Sequence, residues 1–168
     1  DALKLNIEPF MVQPMGPDPL GWFKNPINSL EDMKKLKYRS PPGLVGEIFK
    51  EMGINAVAMP GGEIVPAAQR GVLDAAEWCC PVTDLAYGFH RVFKYYYLQG
   101  LHQSSVNGDI YINKAFWDRL PKDVQAIFDG AVTAAMMESV AYRILENAKA
   151  LKVLVEQHGV KVMETPKE

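Results

Sequence analysis

The sequence is poor in cysteine: it holds only two, and they are neighbours, Cys79 and Cys80. They form no C-x-x-C pair, and no further Cys or His cluster stands at zinc-ligand spacing, which excludes a cysteine-based zinc module and a thioredoxin-like motif. A disulfide between adjacent residues demands an unusual peptide geometry, so the two thiols are expected only to pack or fill a strand end. Long apolar runs are also missing. No stretch of about 18 apolar residues occurs, so no membrane-spanning helix is expected. Neither sign of charge dominates: 18 basic and 20 acidic residues are interleaved and leave a net charge of −2. That balance gives no electrostatic footprint for nucleic acid or an anionic membrane. The opening "DALKLNIEPF" has no basic n-region and no long apolar h-region, so no signal peptide is expected within this chain. Internal repeats, a Walker A lysine, the G-x-G-x-x-G spacing, a G-x-S-x-G elbow and H-E-x-x-H are all missing, which argues against a nucleotide site and the commonest hydrolase centres.

What is present suits one average soluble globular domain, with 48% hydrophobic and 23% charged residues in a chain of 168. Apolar spacing and turn residues alternate strands with short helices through the first two thirds. Residues 5–13 read as a strand that runs into the proline- and glycine-rich loop "PMGPDPLGWFKNP". Ser29, with Asp32 three residues on, is a helix N-cap, and "LKYRS" is a strand stopped by Pro41-Pro42-Gly43. Leu44, Val45, Ile48, Phe49 and Met52 share one helical face, which Gly53 closes. "INAVAMP", a helix from Glu63 to Arg70, the strand "VLDAAEWC" and a helix from Pro81 to about His90 follow. "VFKYYYL" and "GDIYINK" are two further strands, rich in aromatic and β-branched residues.

Beyond residue 114 the chain is nearly all helix-compatible. An unbroken helix from Pro121 to His158 would be about 55 Å long, so a break near Gly130 or a helix spanning two lobes is expected. Met136 and Met137 read as core residues of that helix. "VKVME" adds a last short strand.

This alternation implies an α/β fold with a mostly parallel sheet and helices on both faces. Ligands of such sheets bind beyond the carboxyl ends of strands. That rule selects Gln13, Arg39, the Gly61-Gly62-Glu63 turn and Glu77-Trp78. Arg39, before a rigid turn, is placed to grip a carboxylate with two parallel hydrogen bonds, or equally to form an ion pair with Glu63 or Glu77. Glu77 has apolar neighbours. If buried it needs a partner, and with Gln13 and Gln103 it could hold a hard cation such as Na⁺ or Ca²⁺. Strand alternation, however, turns Glu77 towards solvent. The Gly61-Gly62-Glu63 turn reads as a tight strand-to-helix turn more readily than as an anion site. His102 and Gln103, just past the tyrosine-rich strand, could reach a ligand. His90 and His158 read as helix-end residues.

"LGWFKNPINSLEDMKKLKYRSPP", "GEIFKEMGINAVAMPGGEIVPAAQRGVLDAAEW" and "KYYYLQG" together resemble the extracytoplasmic solute receptors of TRAP transporters. The likeness runs from about Phe10 to the C-terminus and is nearest to the branch that binds 2-oxo acids or lactate with a metal ion. It implies a periplasmic-binding-protein-like fold of type II, which captures a small organic acid for a membrane permease and performs no chemistry. It also implies a periplasmic location, Na⁺ or Ca²⁺ bound with the substrate, no organic cofactor, and a possible homodimer. The arginine of "LK-x-R" matches Arg39 and binds the carboxylate. Gln13, Glu77, Trp78 (through its backbone carbonyl) and Gln103 gather around cation and substrate.

Family chains are nearly twice as long, so residues 5–105 are expected to form one essentially complete lobe carrying Arg39. Residues 106–168 are then a mostly helical return segment of the other lobe and hinge. A bidentate arginine supplies roughly 3–6 kcal/mol, whereas micromolar binding needs about 8.2. These 168 residues alone are therefore expected to bind weakly or not at all. The rival readings are a small acid–base hydrolase or lyase using Glu77 and His102, and an interaction module built on the helical last third.

Overall fold

The computed structural model describes residues 5–167. Strand β1 (Ile7–Met15) is followed by β2 (Gly21–Phe23), within the stretch the sequence presents as a loop. Helix α1 (Leu30–Lys34) starts where capping places it, with the Ser29 hydroxyl accepting from the Asp32 N–H at 3.3 Å. Strand β3 (Lys37–Ser40) leads to α2 (Leu44–Glu51), and Gly53 follows in the left-handed conformation at φ 82°. Then come β4 (Asn55–Ala58), α3 (Gly61–Gln69), β5 (Ala75–Ala76), α4 (Pro81–Tyr87), a 3₁₀ turn at Phe89–Arg91 and β6 (Tyr95–Tyr97). The chain closes with β7 (Val106–Asn113), α5 (Lys114–Trp117), α6 (Lys122–Glu156) and β8 (Lys161–Met163).

These elements divide into two compact units. One holds the residues up to Gly16 with Ser105–Leu145, and the other holds Pro17–Ser104 with the residues from Glu146 onward. Strand pairing accounts for this grouping. β1 runs antiparallel to β7, with Ile7 opposite Asn113 and Met15 opposite Val106. At the other end, β8 pairs in parallel with β6. Helix α6 passes Gly130 without a break for 35 residues, about 52 Å at 1.5 Å per residue. Its residues up to Leu145 belong to the first unit and the rest to the second.

In the smaller unit Phe10, Trp117 and Phe128 form a ring cluster with centroids 4.8–5.4 Å apart. Met136 and Met137 are not core there: they line a shallow apolar hollow with Pro14 and Val140, and Met137 is 67% exposed.

In the larger unit six strands run in the order β4-β3-β5-β2-β6-β8. β3 is parallel to β4 and β5, but β2 is antiparallel to both β5 and β6, so the sheet is mixed where mostly parallel pairing is expected. The reason is the entry of the chain: β2 comes in at the edge where β5 and β6 leave. Consecutive strand residues face opposite sides and build two cores. Trp22, Ala76 and Tyr96 pack on one side with Ile64, Phe89 and Leu154, whereas Phe23, Ala75 and Tyr97 pack on the other with Tyr38, Phe49 and Ile54. At the first core, Trp22 stacks on Tyr96 at 4.0 Å, and both donate 2.8 Å hydrogen bonds to Asp84 Oδ2. His90 and His158 stack face to face at 3.9 Å.

Candidate functional site

Register brings the site together. Arg39 is opposite Val57 and Ala76, so the carboxyl ends of β3, β4 and β5 share one edge of the sheet. Gly21 opens β2 opposite Tyr97, the last residue of β6, so the loops before β2 and after β6 reach that same edge. The two loops are tied by the Asp18 N–H, which donates to the Gln103 carbonyl at 3.0 Å. Gly21, at φ 116°, has no room for a side chain: a Cβ there would stand 2.5 Å from the Ala76 oxygen and 2.8 Å from the Glu77 Cα.

Arg39 and Glu77 are the centre. Their side chains are 4% and 1% exposed. Arg39 Nη1 donates to both the Glu77 carbonyl (2.8 Å) and Glu77 Oε1, and Nε donates to the Met59 carbonyl at 3.1 Å. Glu77 is thus buried, against the alternation that turns it to solvent. β5 is only two residues long, so strand periodicity no longer governs the position after it. Burial lowers the Arg39 pKa and the Glu77 charge opposes that shift, while burial first and Glu77 second hold the Tyr38 phenol well above its usual range. The Trp78 indole covers the guanidinium, with Arg39 Cζ 4.9 Å from the ring centroid. That ring also lies on Gly61, where a Cβ would come within 2.5 Å of its Cη2. Gly61-Gly62-Glu63 opens α3 and serves as the tight turn expected of it.

On the other side of Glu77 stands His102. Its side chain is 3% exposed, Nε2 lies 3.9 Å from Glu77 Oε2, and neither ring nitrogen has a hydrogen-bond partner among the described residues. Asp18 completes a triad in which one donor atom from each of Asp18, Glu77 and His102 lies within 4.8 Å of the others. Buried carboxylates and an unpartnered buried imidazole are costly unless something binds between them. The donor set therefore fits a metal ion, and the guanidinium beside it fits an anion.

Of the residues singled out from the sequence, Arg39, Glu77 and Trp78 meet here. Gln103 is present through its backbone, which holds the Asp18 loop. Gln13 lies within β1 of the other unit, paired with Gly108. Asp18 was not anticipated. The signal was an acid held between two prolines immediately ahead of the buried "LGWF" run, in a stretch that otherwise reads as loop. The sulfurs of Cys79 and Cys80 stand 3.2 Å apart, and Cys80 occupies the N-cap position of α4.

Residues 18–168 match the DctP family, described as bacterial extracellular solute-binding protein, family 7. A monocarboxylate 2-oxoacid-binding periplasmic protein from Nostoc is 38% identical over 135 residues, which cover 80% of this chain and 37% of that protein. A TRAP transporter solute-binding protein from Bordetella bronchiseptica, with calcium and picolinate bound, superposes with a TM-score of 0.89 at 33% identity, covering 99% of this chain and 49% of its own. One from Pseudoalteromonas atlantica, with bound sodium and pyruvate, gives a TM-score of 0.84 at 32% identity, covering 96% and 49%. The chain thus spans half or less of the length of these relatives. Among the described residues no helix is long and apolar enough to cross a membrane.

Proposed function

The chain belongs to the DctP family of bacterial extracellular solute-binding proteins, and from that premise we propose that it is part of a periplasmic TRAP receptor. It captures a small monocarboxylate of the 2-oxo acid or lactate type, together with a cation, for delivery to a membrane permease. The unit holding Pro17–Ser104 acts as the lobe that carries the carboxylate-binding arginine.

The observation that carries this reading is the buried Arg39–Glu77 pair with an unpartnered His102 beside it. Arg39 spends Nε on Met59 and Nη1 on Glu77, which leaves Nη2 as the donor for a ligand carboxylate. Asp18, Glu77 and His102 hold the cation, and Trp78 keeps the guanidinium in place. The cation supplies positive charge for the ligand's carboxylate and 2-oxo oxygens. Relatives with bound pyruvate or picolinate alongside sodium or calcium support the same pairing. Nothing favours acid–base catalysis: the Glu77 carboxylate is tied to Arg39, and its free oxygen stands 3.9 Å from His102.

A thermal-shift screen of 2-oxo and 2-hydroxy acids on the full-length protein tests the reading. Wild type is expected to be stabilised by at least one such acid and Arg39→Lys by none, because an ammonium cannot reproduce the planar fork. An unchanged ligand response in Arg39→Lys would refute the assignment.

A further inference from the structure

Carboxylate capture makes no use of Cys79-Cys80, although the pair directly follows Glu77-Trp78. We propose that these two thiols are a reversible redox site: a disulfide oxidant closes them into a bond between adjacent residues, and closure weakens carboxylate capture at Arg39. The second half rests on the receptor reading above, and the first does not.

Adjacency in sequence does not bring two side chains together, because consecutive residues of an extended chain point to opposite sides. Here β5 has ended at Ala76, Cys80 is the N-cap residue of α4, and the turn between them sets the two sulfurs 3.2 Å apart. A disulfide needs about 2.05 Å, so a small movement closes the bond. Cys80 is buried and Cys79 half-buried, which gives an oxidant one sulfur to reach. The chemistry is thiol–disulfide exchange. The Cys79 thiolate attacks an oxidant R–S–S–R, forming a mixed disulfide and releasing RS⁻, which takes up a proton. The Cys80 thiolate then attacks the Cys79 sulfur and expels the second RS⁻, protonated likewise. The two protein thiols lose two electrons and two protons, and R–S–S–R becomes two R–SH. Adjacent Cα atoms stand about 3.8 Å apart, short of the roughly 4.4–6.8 Å that disulfides usually span. Such a bond is strained and easily reduced, which makes it labile where a structural disulfide is not. The periplasmic location proposed above supplies oxidising surroundings.

What holds each residue decides which of them moves. The Cys80 carbonyl accepts from the Thr83 hydroxyl at 3.1 Å and from the Asp84 N–H at 3.0 Å. The neighbouring Val82 N–H donates to Asn147 Oδ1 on α6 at 3.1 Å. Closure therefore draws Cys79 towards an anchored Cys80 and turns the backbone behind Trp78. The Trp78 ring is fitted between the Arg39 guanidinium, Gly61 and the Tyr87 ring, whose centroid is 5.4 Å away. A small rotation there uncovers the guanidinium.

The test uses the full-length protein, reduced, equilibrated with graded ratios of oxidised to reduced glutathione, quenched with iodoacetamide and digested with trypsin. The peptide of residues 71–91 holds both cysteines and no internal lysine or arginine. As the ratio turns oxidising, it is expected to pass from two alkyl groups to none and to become two hydrogens lighter than the dithiol, and reduction is expected to reverse this. Pyruvate affinity by calorimetry is expected to fall at least tenfold over the same titration, whereas Cys79→Ser keeps the affinity of reduced wild type at every ratio. A peptide that stays doubly alkylated, or that stops at a glutathione adduct, would overturn the proposal. Disulfide closure with unchanged pyruvate affinity would overturn the coupling to Arg39. Failure of pyruvate and its 2-oxo and 2-hydroxy relatives to bind the reduced protein would overturn the receptor reading and that coupling with it, while the peptide mass, read without ligand, still decides the disulfide.

Discussion

Asp84 and Glu77 are the most deeply buried carboxylates among the described residues, both in the same unit, and they are satisfied in opposite ways. Asp84, 0% exposed, is enclosed by neutral donors: the Trp22 indole and Tyr96 hydroxyl at Oδ2, and the Thr83 hydroxyl at Oδ1. Burial pushes its pKa up to about 7, against those hydrogen bonds. Glu77, 1% exposed, is held by a charged guanidinium on one oxygen and faces an unpartnered imidazole with the other. The first is a closed network with every contact made, which fixes α4 to the sheet. The second is open, with donors and acceptors in excess of what the protein itself supplies. A buried acid marks a binding site when its surroundings are incomplete, and a structural one when they are complete.

The largest effect that would sharpen this contrast is the loss of the guanidinium. Arg39→Leu leaves Glu77 buried without its counter-charge, an imbalance that costs about 3–5 kcal/mol in comparable sites. Urea unfolding is expected to show a loss of that order. A loss under about 1 kcal/mol would mean that Glu77 is not held as described.

Asp84 is expected to respond to pH. Its folded pKa of about 7 lies above the ordinary 3.8. Below the ordinary value the carboxyl is neutral in both states. As pH rises towards 7 the unfolded chain ionises first, so stability falls, and above the folded pKa the loss is complete. At about 1.36 kcal/mol per pKa unit this amounts to a few kcal/mol. Asp84→Asn removes that dependence, so its stability relative to wild type is expected to improve between pH 4.5 and 8. A pH-independent difference would contradict the assignment. His90 titrates the other way, because burial and the neighbouring His158 lower its pKa, and the mutant-minus-wild-type difference cancels it.

A smaller effect is expected from Trp22→Phe, which keeps the ring but removes one hydrogen bond to Asp84. The cost is about 1–3 kcal/mol, with ligand binding unchanged. A large loss of binding would show that the two carboxylates are coupled.

How much of this was legible in the sequence depends on how local the signal is. The Ser29 cap and the Gly53 stop depend on a few adjacent residues, and both appear where expected. The helix expected from Pro121 to His158 appears as Lys122–Glu156, with no break near Gly130 and with residues in both units. Strand extents fared worse: "VLDAAEWC" contributes only Ala75–Ala76 to the sheet, and β2 was hidden in a proline-rich stretch. Pairing partners far away in sequence decide those ends, and they also reverse β2 and place β1 against β7. The site divides along the same line. Arg39 and Glu77-Trp78 sit at strand ends that alternation could locate, and the family likeness then chose between open readings. Asp18 reaches Glu77 only because β2 enters the sheet at the edge where β5 leaves, a fact of topology that no local pattern records.

The most direct test of the central claim, that Glu77 and Arg39 form a site for a small carboxylate and a cation, is calorimetric titration of the full-length protein with pyruvate. Glu77→Gln is compared with wild type, each before and after chelation. Wild type is expected to bind, to weaken at least tenfold on chelation and to recover when metal is returned, whereas Glu77→Gln binds weakly and ignores chelator. Equal pyruvate affinity in both proteins, with chelator and without, would contradict the account.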